Sequence, residues 1–257
     1  MKGQILTVEN SELIVVIPAY NEEGCLGKVI SEWIEGLRTL GPSFQVLVIN
    51  DGSSDATPNI LRNLSDNYPE LKYQNQANQG HGAALRNGYD WALEMNPKWI
   101  FHVDSDDQFK YADFPKLWES RNQSPAVYGI RSNRNDPFHR IIISRILRLI
   151  IFISFGVWIP DANVPYRLLS KEFLESSLKN IPKDFFAPNI FISLFAFSFR
   201  GKIPVYPVSH IERQTGQISL PSSRLIKACL KSFWELIKFR LKFRSSLKSI
   251  EWRTEFV

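Results

Sequence analysis

Short, uninterrupted apolar runs alternate with stretches of helical period along roughly the first hundred residues. Residues 13–17 (LIVVI) are rich in β-branched side chains and lead into a turn, PAYNEEG, which predicts a buried strand. A helical pattern then runs to about Leu37. Residues 44–49 (FQVLVI) predict a second strand. The NDGSSDATP that follows is a loop in which Asp55 or Thr57 caps the next helix, with Pro58 in its first turn. A short strand near residues 71–74, the loop NQGHG and a helix over about 83–95 come next, and residues 98–103 form a further strand. This alternation predicts an α/β fold with a doubly wound, mostly parallel sheet and right-handed crossovers. Ligands of such sheets sit outside the carboxyl ends of the strands, and PAYNE, NDGSSD and DSDDQ all fall there.

Two later stretches are amphipathic. RIIISRILRLIIFISFGVWIP (residues 140–160) resembles a membrane span, but its uncharged part after Arg148 is only about a dozen residues, against the ~20 a span needs. At ~100° per residue, Arg140, Ser144, Arg145 and Arg148 share an arc of about 140°, with Ile, Leu and Phe opposite. That suits a helix over about 138–158 lying in a membrane interface; the competing reading is an amphipathic helix packed on the protein core. SRLIKACLKSFWELIKFRLKF (residues 223–243) repeats the design. Arg224, Lys227, Lys231, Glu235, Lys238 and Lys242 fall within an arc of about 80°. Leu225, Ile226, Leu230, Phe233, Trp234, Leu236, Ile237 and Phe239 cover much of the rest.

Charge sharpens this division. The net +5 is uneven: residues 221–257 carry nine Lys/Arg and three Asp/Glu, whereas the other 220 residues carry 22 and 23. The chain therefore divides into a globular domain over 1–220 and a basic amphipathic tail over 221–257. A basic tail on a near-neutral body points to a local anionic partner. Anionic head groups attract such a face at roughly 1 kcal/mol per Lys/Arg near the surface. Nucleic acid and calmodulin-like partners use similar patterns, but an anionic membrane surface also accounts for the helix at 140, so no nucleic-acid partner is expected. The 257 residues are enough for one large core with a small appendage. Cys25 and Cys229 suggest neither a disulfide framework nor a metal spacing, which favours a reducing compartment. MKGQILTVENSEL has no uninterrupted apolar region, so a cleaved signal peptide is not expected.

The strand ending in FHVDSDDQF sets three carboxylates, Asp104, Asp106 and Asp107, within four positions. Like charges so close repel. A D-x-D at a strand end brings two carboxylates to one point, where a hard divalent cation would relieve the repulsion and hold a diphosphate. Alone, so short a pattern reads first as a solvated acidic turn capping the next helix.

The ordered set IPAYNE, INDGSSD, NQGHGAALRNG and HVDSDDQ, each after a successive strand, resembles the family 2 inverting glycosyltransferases with a GT-A fold. Within that family it is most similar to polyprenyl-phosphate sugar transferases of the dolichyl-phosphate mannosyltransferase kind, over roughly residues 13–219. The resemblance implies that Pro18, Tyr20 and Glu22 line the nucleotide base and ribose pocket and that Asp51 contacts base or ribose. It implies that Asn78 and Gly80 shape the adjoining loop. Asp104 and Asp106, with Gln108, would meet Mg²⁺ or Mn²⁺ and the sugar diphosphate, Ser105 lying between them on the cofactor side. Each residue taken singly also has a plain structural reading: a strand end for Pro18, a core aromatic for Tyr20, a first-turn carboxylate for Glu22, a turn for Asp51-Gly52.

Further along, Arg131 and Arg134 in GIRSNR follow a strand-like PAVYGI, and arginine forks suit phosphate oxygens. In IPDANVPYRLLSK, Asp161 and Arg167 occupy places where the family has an aspartate before a basic strand, and Asp161 is either a catalytic or acceptor-orienting group or a turn cap. VSHIERQTGQIS resembles a family loop that closes over the diphosphate. Arg213 and Gly216 match it, Ser219 is one residue late, and no lysine follows, so Arg213 would act alone. His210 reads as a structural hydrogen-bonder. The function implied is metal-dependent, inverting transfer of a sugar from a nucleotide-diphosphate donor to a polyprenyl phosphate, by a cytoplasmic enzyme peripheral on the cytosolic membrane face. A sugar-hydroxyl acceptor in surface glycan synthesis, and a non-catalytic membrane-recruited scaffold, are the alternatives. A hydroxyl needs a base to take its proton; a phosphate, already anionic, does not.

Overall fold

The structure, a computed structural model, describes residues 11–132, 138–199, 201–212 and 222–250. The predicted alternation is present. Strands β1 (Leu13–Ala19), β2 (Phe44–Asn50), β3 (Leu71–Asn75) and β4 (Trp99–Val103) are parallel, with helices α1 (Leu26–Leu40), α2 (Thr57–Asn67) and α3 (His81–Glu94) between them. Every residue of β1 is buried, as an apolar strand covered on both faces must be. α1 ends where Gly41 turns left-handed (φ 92°) and its N–H caps the Leu37 carbonyl.

Strands β5 (Ala126–Arg131), β6 (Tyr166–Ser170) and β7 (Val205–Val208) extend the sheet to seven strands in the order β3-β2-β1-β4-β6-β5-β7. β6 runs antiparallel to both neighbours, and β7 is parallel to β5. The reversal of β6 has a consequence for function. Its amino end, with Val103 paired to Tyr166, lies at the carboxyl edge of β4, so the segment just before it, including Asp161, arrives at the same edge as the other strand-end loops.

Alternation along β4 sends neighbouring side chains to opposite faces. Phe101 packs on Trp33 of α1 (ring centroids 5.0 Å) and on Phe114 (4.7 Å), which opens α4 (Phe114–Glu119). His102 turns the other way, towards Tyr89 of α3 at 5.9 Å. On that second face Arg167 of β6 is wholly buried and donates to the carbonyls of Val164 and Asn189 and to Ser193 Oγ. Arg167 is therefore a pillar between β6 and α7 (Pro188–Phe197), not a surface cation.

The remaining helices are α5 (Phe138–Phe155), α6 (Lys171–Asn180) and α8 (Ser222–Lys248). α8 divides its apolar residues between two faces. Leu236, Phe239, Phe243 and, just beyond the helix, Ile250 join the core, where Phe239 and Phe243 meet Phe191 and Phe195 of α7. Leu230, Trp234, Ile237 and Leu241 form a second stripe facing solvent, Leu241 being 90% exposed. At ~100° per residue the two stripes are diametrically opposed. Glu235, grouped by the sequence with the basic arc, is instead buried, and both its oxygens accept the Phe186 N–H. On α5, Ile151 points inward while Ile142, Ile146, Leu149, Phe152 and Ile153 are exposed. The two helices touch through Phe155 and Phe243, 5.0 Å apart. Among the described residues no helix is long and apolar enough to cross a membrane.

Candidate active site

The loops after β1 and β2 are tied to each other residue by residue. Asn21 N–H donates to Ser53 Oγ (2.9 Å), Glu22 N–H to Thr57 Oγ1 (2.9 Å) and Glu23 N–H to Asp55 Oδ2 (3.1 Å). In return the N–H groups of Ser54 and Ala56 donate to the side chains of Asn21 and Glu23. Pro18 is buried, Tyr20 is exposed at the rim, and Glu22 is buried, with Cys25 Sγ 3.3 Å from its Oε2.

Asp51, also buried, organises the third loop. Its carboxylate accepts from Gln76 Nε2 (2.7 Å), Gln79 N–H (2.9 Å) and Gly80 N–H (2.8 Å). Gly52 is left-handed (φ 71°), and a Cβ there would come within 2.7 Å of the Asn78 backbone nitrogen. Asp51-Gly52 therefore sets the path of Asn78 and Gly80, the loop predicted to adjoin the nucleotide.

The acidic cluster resolves into separate roles. Ser105 is buried, donates to the Pro18 carbonyl (2.9 Å) and accepts from Cys25 Sγ at its own carbonyl, so it anchors the loop after β4 to β1 and α1. Asp107, left-handed at φ 59°, leaves the other two carboxylates and pairs with Lys28 (2.8 Å) and Lys110. Burial works to raise the Asp107 carboxyl, and these two lysines outweigh it and hold the group below the usual range. Asp106 Oδ1 accepts the Gln108 N–H. Gln108 clamps the segment after β7: its carbonyl accepts Ile211 N–H and its Nε2 donates to the Ile211 carbonyl.

Asp104 points into a group of imidazoles. Its Oδ1 is 3.3 Å from His102 Nε2 and 3.8 Å from His81 Nε2. Burial alone would raise the Asp104 carboxyl; His81, with His102 and Arg131, holds it below the ordinary carboxylate range. Burial pushes the His102 imidazole down to about 4, so it is neutral at neutral pH. The atoms at the centre of this group are buried without hydrogen-bond partners: both ring nitrogens of His102, and Asp104 Oδ1. Such a donor set suits a divalent cation, so the residues present fit the metal the resemblance implies.

Arg131 and Asp161 form one unit, a bidentate pair with Nε–Oδ2 2.7 Å and Nη2–Oδ1 2.9 Å. Arg131 lies near enough to Asp104 to help hold its carboxyl low. The residue before Asp161 is tied to α5, because Arg148 donates to the Pro160 carbonyl. Arg148 also lies over the ring of Trp158, which packs edge-on against Phe152. Arg134, Arg213, Gly216 and Ser219 lie outside the described residues. His210 is buried against Phe109 (5.2 Å). A separate cavity of about 800 Å³, lined by Arg86, Asp90, Lys179, Phe239 and Lys242 among others, shares no residue with this constellation.

His81 and His102 are the site residues that sequence reasoning passed over. The signal was present: a histidine inside the apolar strand WIFHV has no apolar reason to be there, and His81 stands in a glycine-flanked loop at a strand end.

This architecture, a seven-stranded mixed sheet with its loops gathered at one edge, is that of a GT-A fold. The model of the glycosyl transferase family 2 matches residues 14–178, and the chain belongs to that family. An uncharacterized protein of Methanocaldococcus jannaschii is 32% identical over 174 residues, 63% of this chain and 73% of the relative. The undecaprenyl-phosphate 4-deoxy-4-formamido-L-arabinose transferase of Salmonella paratyphi B is 27% identical over 215 residues. That match takes in 82% of this chain, which spans only 63% of the transferase. Among solved structures, glucosyl-3-phosphoglycerate synthase from Mycobacterium tuberculosis, in complex with Mn²⁺, UDP-glucose and phosphoglyceric acid, superposes with a TM-score of 0.64. It is 16% identical, the likeness covers 90% of this chain and 80% of the other, and it is a likeness of fold.

Proposed function

We propose that this glycosyltransferase moves a sugar from a nucleoside diphosphate donor to a polyprenyl phosphate, with a divalent cation, while peripheral on an anionic membrane surface at the cytosolic face. The observation that carries the reading is a continuity. Asp161 and Arg131 stand at the carboxyl edge of the sheet beside Asp104. One residue away Pro160 is held by α5, a helix that exposes Ile142, Ile146, Leu149 and Ile153. The acceptor side of the site therefore opens on an apolar surface, which suits a lipid-borne phosphate. The transferase of Salmonella paratyphi B, named for undecaprenyl phosphate, supports the same acceptor class.

In the proposed reaction an acceptor phosphate oxygen forms a bond to the anomeric carbon from the face opposite the leaving group. The bond to the diphosphate breaks, and its electron pair leaves with the nucleotide. No proton moves, because the acceptor is already anionic, which agrees with an Asp161 carboxylate committed by both oxygens to Arg131. Asp161 positions Arg131, whose planar guanidinium is of a kind that suits phosphate. Asp51 keeps the loop of Asn78 and Gly80 shaped for the nucleoside. On the family resemblance Asp104 and Asp106 would hold the cation, which when bound neutralises charge growing on the departing diphosphate; of the two, only Asp104 stands in the group with His81 and His102, while Asp106 accepts the Gln108 N–H. Arg213 is assigned to the same diphosphate on the family resemblance.

The test is a donor screen with purified protein, short polyprenyl phosphates and Mg²⁺ or Mn²⁺, in anionic and neutral vesicles. A lipid-linked sugar phosphate, formed faster on anionic vesicles, is expected. Transfer to a sugar hydroxyl alone, with turnover abolished by Asp161→Asn while the donor still binds, would replace the acceptor with a hydroxyl.

A further inference from the structure

The imidazoles beside Asp104 say more about the cation than the aspartates do. His102 lies in the middle of a wholly buried strand with no exposed surface, and neither of its ring nitrogens has a hydrogen-bond partner. Left so, a buried polar group loses the hydrogen bonds that water would give it. The Asp104 Oδ1 that it faces, 3.3 Å away, is likewise buried without a hydrogen bond. His81, the first residue of α3, brings a third donor from a different element, 3.8 Å from the same oxygen, on a side chain exposed enough to swing. The three donor atoms all lie within 4.8 Å of one another. Around a tetrahedral ion with bonds of about 2.1 Å, neighbouring donors stand about 3.4 Å apart, so a shift of roughly 1 Å by His81 closes the set.

We propose that His81, His102 and Asp104 together ligate a divalent metal, and that the two imidazoles select a transition ion over Mg²⁺ at this site. Imidazole nitrogen suits ions from Mn²⁺ through Co²⁺ to Zn²⁺ with rising affinity, whereas Mg²⁺ prefers oxygen and its own waters. Carboxylates alone, which suit Mg²⁺ and Mn²⁺ alike, would discriminate less. The proposal rests on the donor-site reading in one respect, that this is the ion which meets the diphosphate.

The experiment uses the full chain, stripped with a chelator, with Mn²⁺, Co²⁺, Zn²⁺ and Mg²⁺ each added alone and no nucleotide present. Equilibrium dialysis gives stoichiometry and affinity, and pulsed EPR on bound Mn²⁺ detects coupling to imidazole nitrogen. One ion per chain is expected, nitrogen-coupled, and not displaced by excess Mg²⁺. His81→Ala, on an exposed side chain, should weaken Mn²⁺ by about tenfold or more and leave coupling to a single imidazole. His102→Phe, checked for folding by circular dichroism, should do the same. Mn²⁺ that binds only with UDP or GDP, shows no nitrogen coupling and ignores His81→Ala would overturn the imidazole ligation while leaving the donor site standing. Nitrogen-coupled binding in a protein with no affinity for any nucleoside diphosphate would uphold the metal site and remove the donor reading.

Discussion

Asn21, Glu22 and Glu23 each hydrogen-bond across to the loop after β2, whereas Leu230, Trp234, Ile237 and Leu241 of α8 face solvent. The first region is built from short-range polar contacts, each with a partner that fixes its direction. The second is a surface of apolar side chains, held in place from behind by Phe239 and Phe243. A catalytic edge needs donors and acceptors placed to fractions of an ångström. A lipid-facing surface needs area and charge and tolerates imprecision. On the proposed function the two regions should respond to substitution in opposite ways, one losing geometry and the other only membrane attachment.

The sharpest break of that contrast lies within α8 itself. Phe239→Ala removes an aromatic ring from the core and should cost about 3–5 kcal/mol in chemical denaturation. If it costs nothing, the inward face of α8 is misassigned. Next in size is Gly82→Ala, because a Cβ at Gly82 would come within 1.9 Å of the Phe186 carbonyl oxygen. Phe186 is the residue whose N–H is held by Glu235, so the change disturbs the join between α3 and α8; about 3 kcal/mol of destabilisation is expected.

Asp51→Asn should cost about 2 kcal/mol and weaken nucleotide binding in calorimetry, because a neutral amide replaces a carboxylate that accepts from Gln76, Gln79 and Gly80. Full nucleotide affinity in this variant would show that the loop forms without it. The smallest expected stability change is that of Trp234→Ala paired with Leu241→Ala, within about 0.5 kcal/mol. Flotation with anionic vesicles should nevertheless fall severalfold. Unchanged flotation would mean that the exposed stripe is not the attachment surface.

Legibility in the sequence follows the same division. β1 to β4 and their loops could be read because apolar runs and turn residues act over a few positions; the ties of Asn21 to Ser53 and of Glu23 to Asp55 join separate loops and could not be read that way. The amphipathic character of α5 and α8 was legible too, but not which apolar residues face inward. Leu236 and Ile237 are neighbours of the same chemistry, one buried and one exposed, and only the aromatic cluster of α7 decides between them. The Arg131–Asp161 pair depends on the reversed direction of β6, which no local pattern announces. His102 was hidden by the strand around it, since its role depends on His81 reaching it from another element. Arg167 could be placed from the sequence only at a family position in a basic strand; its burial depends on three acceptors that the packed fold brings around it.

The central claim is that Asp104 and Asp106 hold the cation and diphosphate from which the sugar leaves. The measurement that meets it most directly is transfer of radiolabelled sugar to polyprenyl phosphate in anionic vesicles by the Asp104→Asn/Asp106→Asn double variant, set against the unchanged chain. The account predicts a loss of about a thousandfold or more with folding and vesicle binding retained. Transfer at the rate of the unchanged chain would contradict it.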